Sequence, residues 1–258
     1  MSVAEVEPSR SVLRRAFSIL DAFEAGDVEL SLTALAQRSG LPKPTAFRMA
    51  HELVSWGALE RAPAGGYRLG VRLFVLGERV ARHRDLRETA MPFLEDLYEA
   101  THENVNLGVL HGHDVLYLAR LSGHRSSDVI LRVGNFLPAH STSIGKALLA
   151  YSSGDVVRSV VTAGLQRLTP HTIVMPGLFT QALREVVERG YATNHEETHR
   201  GVVSVAAPVF GPQRTPIAGI SITGRAGRFD VNRLAPAVRT AAASLSRSLA
   251  SVHSLTAI

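Results

Sequence analysis

The sequence predicts an α+β protein in two parts: a small head of three helices and a hairpin, then a larger domain in which strands and helices interleave. Three observations carry this. Between residues 12 and 57, three segments repeat their apolar residues at i, i+3 and i+4, the helical period. The run ALERAPAGGYRLG alternates around Gly65-Gly66, as a hairpin does. Beyond residue 101, apolar runs such as VVSVAAPVF and IAGISITG interleave with helical patterns such as QALREVVERG. At 258 residues and 45% hydrophobic content, the chain has room for one large or two small globular domains.

The composition excludes several classes. There is no cysteine, so neither a disulfide scaffold nor a thiolate metal site is available. No apolar run approaches the length of a membrane span. The N-terminal MSVAEVEPSRSVLRR carries Glu5 and Glu7 and no apolar core, so it does not read as a secretory signal. A cytoplasmic protein with no membrane partner is expected. The formal charge is 28 − 23 = +5, and it is uneven. From Ser31 to Arg79 there are seven basic residues (Arg38, Lys43, Arg48, Arg61, Arg68, Arg72, Arg79) against three acidic ones (Glu52, Glu60, Glu78). That balance of +4 in a short window is the electrostatic footprint of a nucleic-acid reader.

In the head, residues 12–24 place Leu13, Ala16, Phe17, Leu20 and Phe23 on one face of a first helix. Ser31 is a good N-cap for a second helix, LTALAQRS, with Leu32, Leu35 and Ala36 inward and Gly40 at its end. In GLPKPTAFRM, Pro44 disfavours α conformation at Lys43, which places Lys43 at the N-cap of a third helix and Pro44 at its first position. At about 100° per residue, Ala46, Phe47, Ala50, Leu53, Val54 and Gly57 share an inner arc. Thr45, Arg48, His51, Glu52 and Ser55 share the outer one, with Met49 at its border. Two helices joined by a short Gly-containing turn, the second cationic at its start, form a helix-turn-helix pattern. In such domains the N-terminal residues of the second helix reach base edges in the major groove. The hairpin flanked by Arg61 and Arg68 is then a wing able to lie along phosphates. The competing reading of the head is a protein-interaction module on a small-molecule sensor.

Residues 71–100 are helix-rich and densely charged, as suits a solvated linker, and Pro92 breaks or kinks the pattern after Met91. The implied division is 1–70 for the winged head, 71–85 for a linker helix and 86–258 for the second domain. There, NVNLGVL and VLYLARL read as strands joined by HGHD, and DVILRVG as a third strand. DVVRSVVTAG and QALREVVERG are helical, VVSVAAPVF and IAGISITG are strands, and VNRLAPAVRTAAASLSRSLASVH is an amphipathic closing helix.

Four features suggest chemistry and fall short of it. His111 and His113 flank a turn glycine and read as solvated turn residues. Gly145-Lys146 lacks the earlier glycine and following hydroxyl of a P-loop, since His140 and Ala147 occupy those positions. HEETH, residues 195–199, matches HExxH, which holds a metal only in a helix. Gly190 and Gly201 bracket it, and beyond Glu197 the only acid is Asp230. No G-x-S-x-G elbow supports a nucleophile. No catalytic residue, metal ligand or cofactor is therefore assigned, and a zinc-dependent hydrolase centred on HEETH stands as the disfavoured alternative.

The chain resembles the IclR family of bacterial transcription regulators. LTALAQRSGLPKPTAFRMAHELVSWG, YRLGVRLFVLG, HSTSIGKALLA and GYATNHEETHRGVVSVAAPV carry the resemblance, in family order from residue 32 to 208. It implies an N-terminal winged helix-turn-helix, a linker helix and a C-terminal GAF-like α/β effector-binding domain. It also implies a non-enzymatic regulator, a repressor by expectation, that binds double-stranded operator DNA at paired half-sites as a homodimer or tetramer. Pro44 stands where the family has a small polar residue, leaving Lys43, Thr45 and Arg48 as the implied readers, with Arg61 and Arg68 on the wing. The family's effector loop corresponds to the amides of Ser143 and Ile144. Its acid, cysteine and two hydroxyl residues correspond to Asn194, Ser204, Ser221 and Thr223. The two departures, Asn194 and Ser204, imply a neutral pocket for a polar organic acid or sugar-like metabolite.

Overall fold

A computed structural model describes residues 11–24, 26–123 and 131–255, divided into two compact units between Arg84 and Asp85. The residues expected to exclude a signal, Glu5 and Glu7, lie outside the described residues, as does the Asp128–Ile130 part of the expected third strand.

The head consists of α1 (Val12–Asp21), α2 (Leu32–Ser39), α3 (Lys43–Trp56), β1 (Leu59–Arg61) and β2 (Tyr67–Leu69). Ser31 caps α2, its hydroxyl accepting from the Ala34 N–H at 3.1 Å, and Gly40 ends it in the left-handed region at φ 68°. Ile19, Leu35, Ala46, Met49, Ala50, Leu59 and Tyr67 form the core. The antiparallel hairpin pairs Glu60 with Arg68 and Arg61 with Tyr67.

Three local expectations for the head need correction. Helix α3 starts one residue early: Pro42 is the N-cap and Pro44 the second helical residue. A proline is equally harmless there, because first-turn N–H groups have no intrahelical partner. In α1, Leu13 and Phe17 are exposed and Ile19 is fully buried. The buried arc centres on Ile19, and Phe17 projects about 160° away from it. In α3, Met49 enters the core and Phe47 remains 45% exposed. Helix α3 faces α1 and α2 through its Ala46 and Ala50 side, with Met49 flanking one edge and Phe47 spilling over the other.

The connector, expected as one linker helix over 71–85, is two helices: α4 (Val71–Gly77) and α5 (Ala81–Thr101). Helix α5 runs through Pro92 without a break. The second unit holds β3 (Asn104–His111), β4 (Asp114–Leu121), β5 (Phe136–Pro138), a single 3-10 turn (Ala139–Ser141), α6 (Ser143–Leu149), α7 (Gly154–Ala163), α8 (Pro176–Arg189), β6 (Ala192–His195), β7 (Val202–Phe210), β8 (Pro216–Arg225) and α9 (Val231–Leu255). The six strands form one antiparallel sheet in the order β5-β4-β3-β8-β7-β6. Of the expected strand DVILRVG, the described Leu131–Gly134 is not strand, because a turn at Val133–Gly134 intervenes, and the edge strand is β5. Strand β6, which the sequence patterns leave unassigned, forms because it pairs with β7 from Ala192 to His195.

Strand alternation sorts the sheet into two faces. Val105, Leu107, Val205, Ala207, Ile220 and Ile222 face α5 and α9. Ala206, with Val115 and Tyr117, packs toward α6, α7 and α8. On that second face, at the sheet's other end, the same alternation sets Asn104, Asn106, Asn194, Ser204, Ser221 and Thr223 side by side. Helix α6 lies unusually close. A Cβ on Gly219 would stand 2.9 Å from Ile144 Cγ2, and a Cβ on Gly145 would stand 2.1 Å from the Ala139 carbonyl oxygen.

Gly145→Ala tests that approach. Its methyl meets backbone, which cannot step aside as a flexible side chain can, so a loss of about 1–3 kcal/mol or more is expected. Urea unfolding of the variant against wild type measures it. An unchanged midpoint would show that the helix can recede from the 3-10 turn.

Candidate functional site

In the head, Lys43 opens α3 and is exposed, Thr45 is half-buried one turn position on, and Arg48 is exposed beside buried Met49. Lys43 and Arg48 make no ion pair among the described residues. Four other cations of the basic window, Arg38, Arg61, Arg68 and Arg72, are engaged. Arg38 pairs with Asp27. Arg68 donates from Nε to Glu60 Oε2 at 2.9 Å, across the hairpin. The Glu60 carboxyl also accepts from the Val71 N–H, and those two contacts, the backbone one first, hold it below the usual carboxylate range. Arg61 lies 4.1 Å over the Tyr67 ring and 5.9 Å from the Phe47 ring centroid. Arg72 stacks 4.2 Å over Trp56 and donates to its carbonyl. The sequence's charge count thus overstates what the surface offers, while Lys43 and Arg48 on α3 are uncommitted.

In the second unit, five of the six residues singled out in the sequence line one small hollow: Ser143, Asn194, Ser204, Ser221 and Thr223. Ile144 does not line it. Its side chain fills the space over Gly108 and Gly219 in the sheet instead. Ser143 and Ser204 share a hydrogen bond at 2.7 Å. The Thr142 hydroxyl caps α6 by accepting from the Gly145 N–H at 3.0 Å, while the N–H groups of Ser143 and Ile144 have no intrahelical partner. Asn194 is tied at both ends: Nδ2 donates to Thr198 Oγ1 at 3.0 Å and Oδ1 accepts from the Glu197 N–H at 2.8 Å.

Several lining residues escaped the sequence reading, Asn106, Asn104 and Arg120 among them. Asn106, 1% exposed, donates from Nδ2 to Ser221 Oγ at 3.2 Å and Thr223 Oγ1 at 3.3 Å. Its Oδ1 has no partner among the described residues. Asn104 Oδ1 accepts from the Gly123 N–H at 3.1 Å, and Arg120 reaches the same oxygen at 3.5 Å. The signal was available: asparagines at i and i+2 in the otherwise apolar NVNLGVL must share one face of a strand. The lining contains Arg120 and His199 but no Asp or Glu. Burial lowers the Arg120 guanidinium below its ordinary pKa and raises the Tyr117 hydroxyl well above its own.

The HEETH segment is not helical. His195 ends β6, Glu196 turns at φ 58°, and the two histidines border different hollows. Its middle residue has another role. Glu197 Oε1 accepts from Lys146 Nζ, with both residues about 4% exposed. Burial is the largest influence on Lys146 and lowers its pKa, against the attraction of Glu197. The backbone around it is bound too: Thr169 Oγ1 donates to the Glu196 carbonyl and Thr172 Oγ1 to that of Glu197, each at 2.7 Å.

Comparison with known proteins places both halves. Residues 12–63 match the IclR helix-turn-helix domain, and residues 78–247 match the bacterial transcriptional regulator IclR C-terminal domain. The chain is 33% identical over 226 residues to the HTH-type transcriptional regulator XynR of Escherichia coli K12, covering 86% of this chain and 89% of that protein. It is 34% identical over 244 residues to the glycerol operon regulatory protein of Streptomyces coelicolor, covering 92% and 95%. Among solved structures, an IclR homolog from Microbacterium hydrocarbonoxydans complexed with 4-hydroxybenzoate superposes with a TM-score of 0.86 at 30% identity, covering 93% of this chain and 99% of that one.

The ion pair generates a stability prediction. Glu197→Ala leaves Lys146 buried without a counter-charge and is expected to cost about 3–5 kcal/mol, while the double variant Lys146→Met, Glu197→Leu recovers most of that loss. Denaturant unfolding of the three proteins measures it. A single variant as stable as wild type would show that Lys146 finds water instead.

Proposed function

The chain belongs to the IclR family of bacterial transcriptional regulators, and on that premise we propose that it is a cytoplasmic, homo-oligomeric repressor released or retained on its operator by a small polar metabolite. The regulator class is that of its relatives, a non-enzymatic family in which a helix-turn-helix binds DNA and the C-terminal domain binds an effector. The observation that carries the finer reading is the pairing, in one chain, of an α3 with exposed cations and a buried amide- and hydroxyl-lined pocket free of acids. No helix among the described residues is long and apolar enough to cross a membrane.

In the head, Lys43, Thr45 and Arg48 are the proposed readers, and Arg61 and Arg68 the proposed phosphate contacts of the wing. Arg68 contributes less, since Glu60 already neutralises it. Exposed Val71, Phe74 and Val75 on α4, with Leu13 and Phe17 on α1, support contact with a second copy, which paired half-sites require. The proposed division is a winged head over 1–70, a connector over 71–85 and an effector domain over 86–258.

In the pocket, the amides of Ser143 and Ile144 with Asn194, Ser204, Ser221 and Thr223 are the proposed effector contacts. The absence of an acid in the lining, with Arg120 beside it, supports an organic acid over a cationic ligand. The structural neighbour's 4-hydroxybenzoate supports the same class. Effector binding then shifts the DNA-binding equilibrium by no more than its differential affinity for the two states of the protein.

Two measurements test this. In gel shifts with the DNA upstream of its own gene, Arg48→Ala is expected to weaken specific binding by about 1–3 kcal/mol. Lys43→Ala, if it meets phosphate, is expected to lower affinity for all sequences and reduce the salt slope by about one. Absence of any shift at low salt would overturn the DNA-binding assignment. In calorimetric titrations of an organic-acid and polyol panel, Ser221→Ala is expected to weaken the binding ligand by roughly tenfold, the cost of about one buried hydrogen bond. Equal binding by both proteins would exclude this pocket.

A further inference from the structure

Helix α3 exposes two large apolar side chains, and they are treated differently. Trp56, at the C-terminal end, is 44% exposed and carries the Arg72 guanidinium stacked 4.2 Å over its ring. Phe47, in the N-terminal half, stays 45% exposed among the polar residues of the outer face. It lies one turn from Lys43, adjacent to Arg48 and one turn before His51. Two groups neighbour its ring: the His51 ring, with centroids 6.5 Å apart and tilted by 39°, and the Arg61 guanidinium, over the ring at 5.9 Å from its centroid. Arg61 is in turn stacked at 4.1 Å on Tyr67, which is fully buried. The wing thus braces an apolar ring on the half of α3 that carries Lys43 and Arg48.

A phenyl ring has no donor or acceptor with which to read a base edge. The apolar feature that the major groove offers is the C5-methyl of thymine, and adenine, guanine and cytosine present none there. We propose that Phe47 is a specificity-determining residue that packs its ring on the methyl group of a thymine, while Lys43 and Arg48 on either side meet phosphate or base edges. The proposal rests on the reading that α3 enters the major groove, and it adds a base preference which that reading does not contain. Bracing by His51 and Arg61 lowers the rotamer entropy lost on contact. It also makes Arg61 a positioning residue for Phe47 as well as a proposed wing contact.

The test uses the full chain and replaces thymine with uracil, which lacks only the methyl. The protein selects a duplex from random-sequence DNA, and that duplex is remade with deoxyuridine at each thymine in turn. Wild type is expected to bind at least one of these duplexes about fourfold more weakly per half-site, the equivalent of burying one methyl-sized group. At that same position Phe47→Ala is expected to bind the thymine and uracil duplexes equally, completing a cycle in which protein ring and DNA methyl are removed separately and together. Because Phe47 is half-buried at the edge of the core, the variant should remain folded with a modestly lowered midpoint, and binding measured well below that midpoint separates recognition from folding. Three results overturn the proposal: a wild type indifferent to every uracil, a Phe47→Ala variant that still discriminates at the sensitive thymine, or a variant whose defect is loss of the oligomer. Failure to select any duplex would overturn the DNA-binding reading, and this inference with it.

Discussion

Helix α6 lies against the sheet at a distance that only glycine permits, and much of the second unit's architecture depends on it. Ile144 occupies the space over Gly219 where a side chain would collide, and Gly145 touches the backbone of the 3-10 turn at Ala139. That depth puts consecutive residues of one short helix to different uses. Ser143 reaches the polar end of the sheet, Ile144 closes the apolar middle, and Lys146 emerges on the far side as a buried cation. A methyl group at either glycine would lift the helix and move all three at once.

A buried cation requires a counter-charge, since desolvation without one costs several kcal/mol. Glu197 supplies it, and in doing so anchors the segment that follows β6. The anchor reaches the pocket through the backbone: the Glu197 N–H binds Asn194 Oδ1, and Thr198 connects Asn194 to the Ser141 carbonyl. One wall of the pocket is therefore held by an ion pair behind it. The HEETH resemblance to a metal motif has a plain physical basis here, because the glutamate answers a lysine and the flanking histidines remain at the surface.

The head follows an economy of a different kind. Of its many arginines, several are bound to acids or stacked on rings within the head, while Lys43 and Arg48 on α3 stay exposed without an ion pair among the described residues. Net charge in a sequence window counts residues, whereas an approaching polyanion meets only the charge that is not already answered. Arg61 of the wing lies against Phe47 of α3, while Arg68 is held by Glu60 within the hairpin.

Periodicity and local chemistry were sufficient for much of this. The helical repeats, the Ser31 cap, the Gly65-Gly66 hairpin and the alternating apolar strands determined the elements, because each depends on neighbours a few residues away. The family motifs brought out Ser143, Asn194, Ser204, Ser221 and Thr223, which the fold then gathered around one hollow. What the sequence could not express was rotation and partnership. Whether Phe47 or Met49 faces the core depends on which edge of α3 meets α1 and α2, and the two differ by one small turn of the helix. Whether TNH forms β6 depends on β7 being beside it. Whether Lys146 is a ligand-binding cation or half of an ion pair depends on Glu197, 51 residues away. The sequence by itself determined most of the elements and their order; only the tertiary structure decided the edge strands, which side chains are answered by partners within the fold and which, like Arg48 and the free oxygen of Asn106, are left to meet something else.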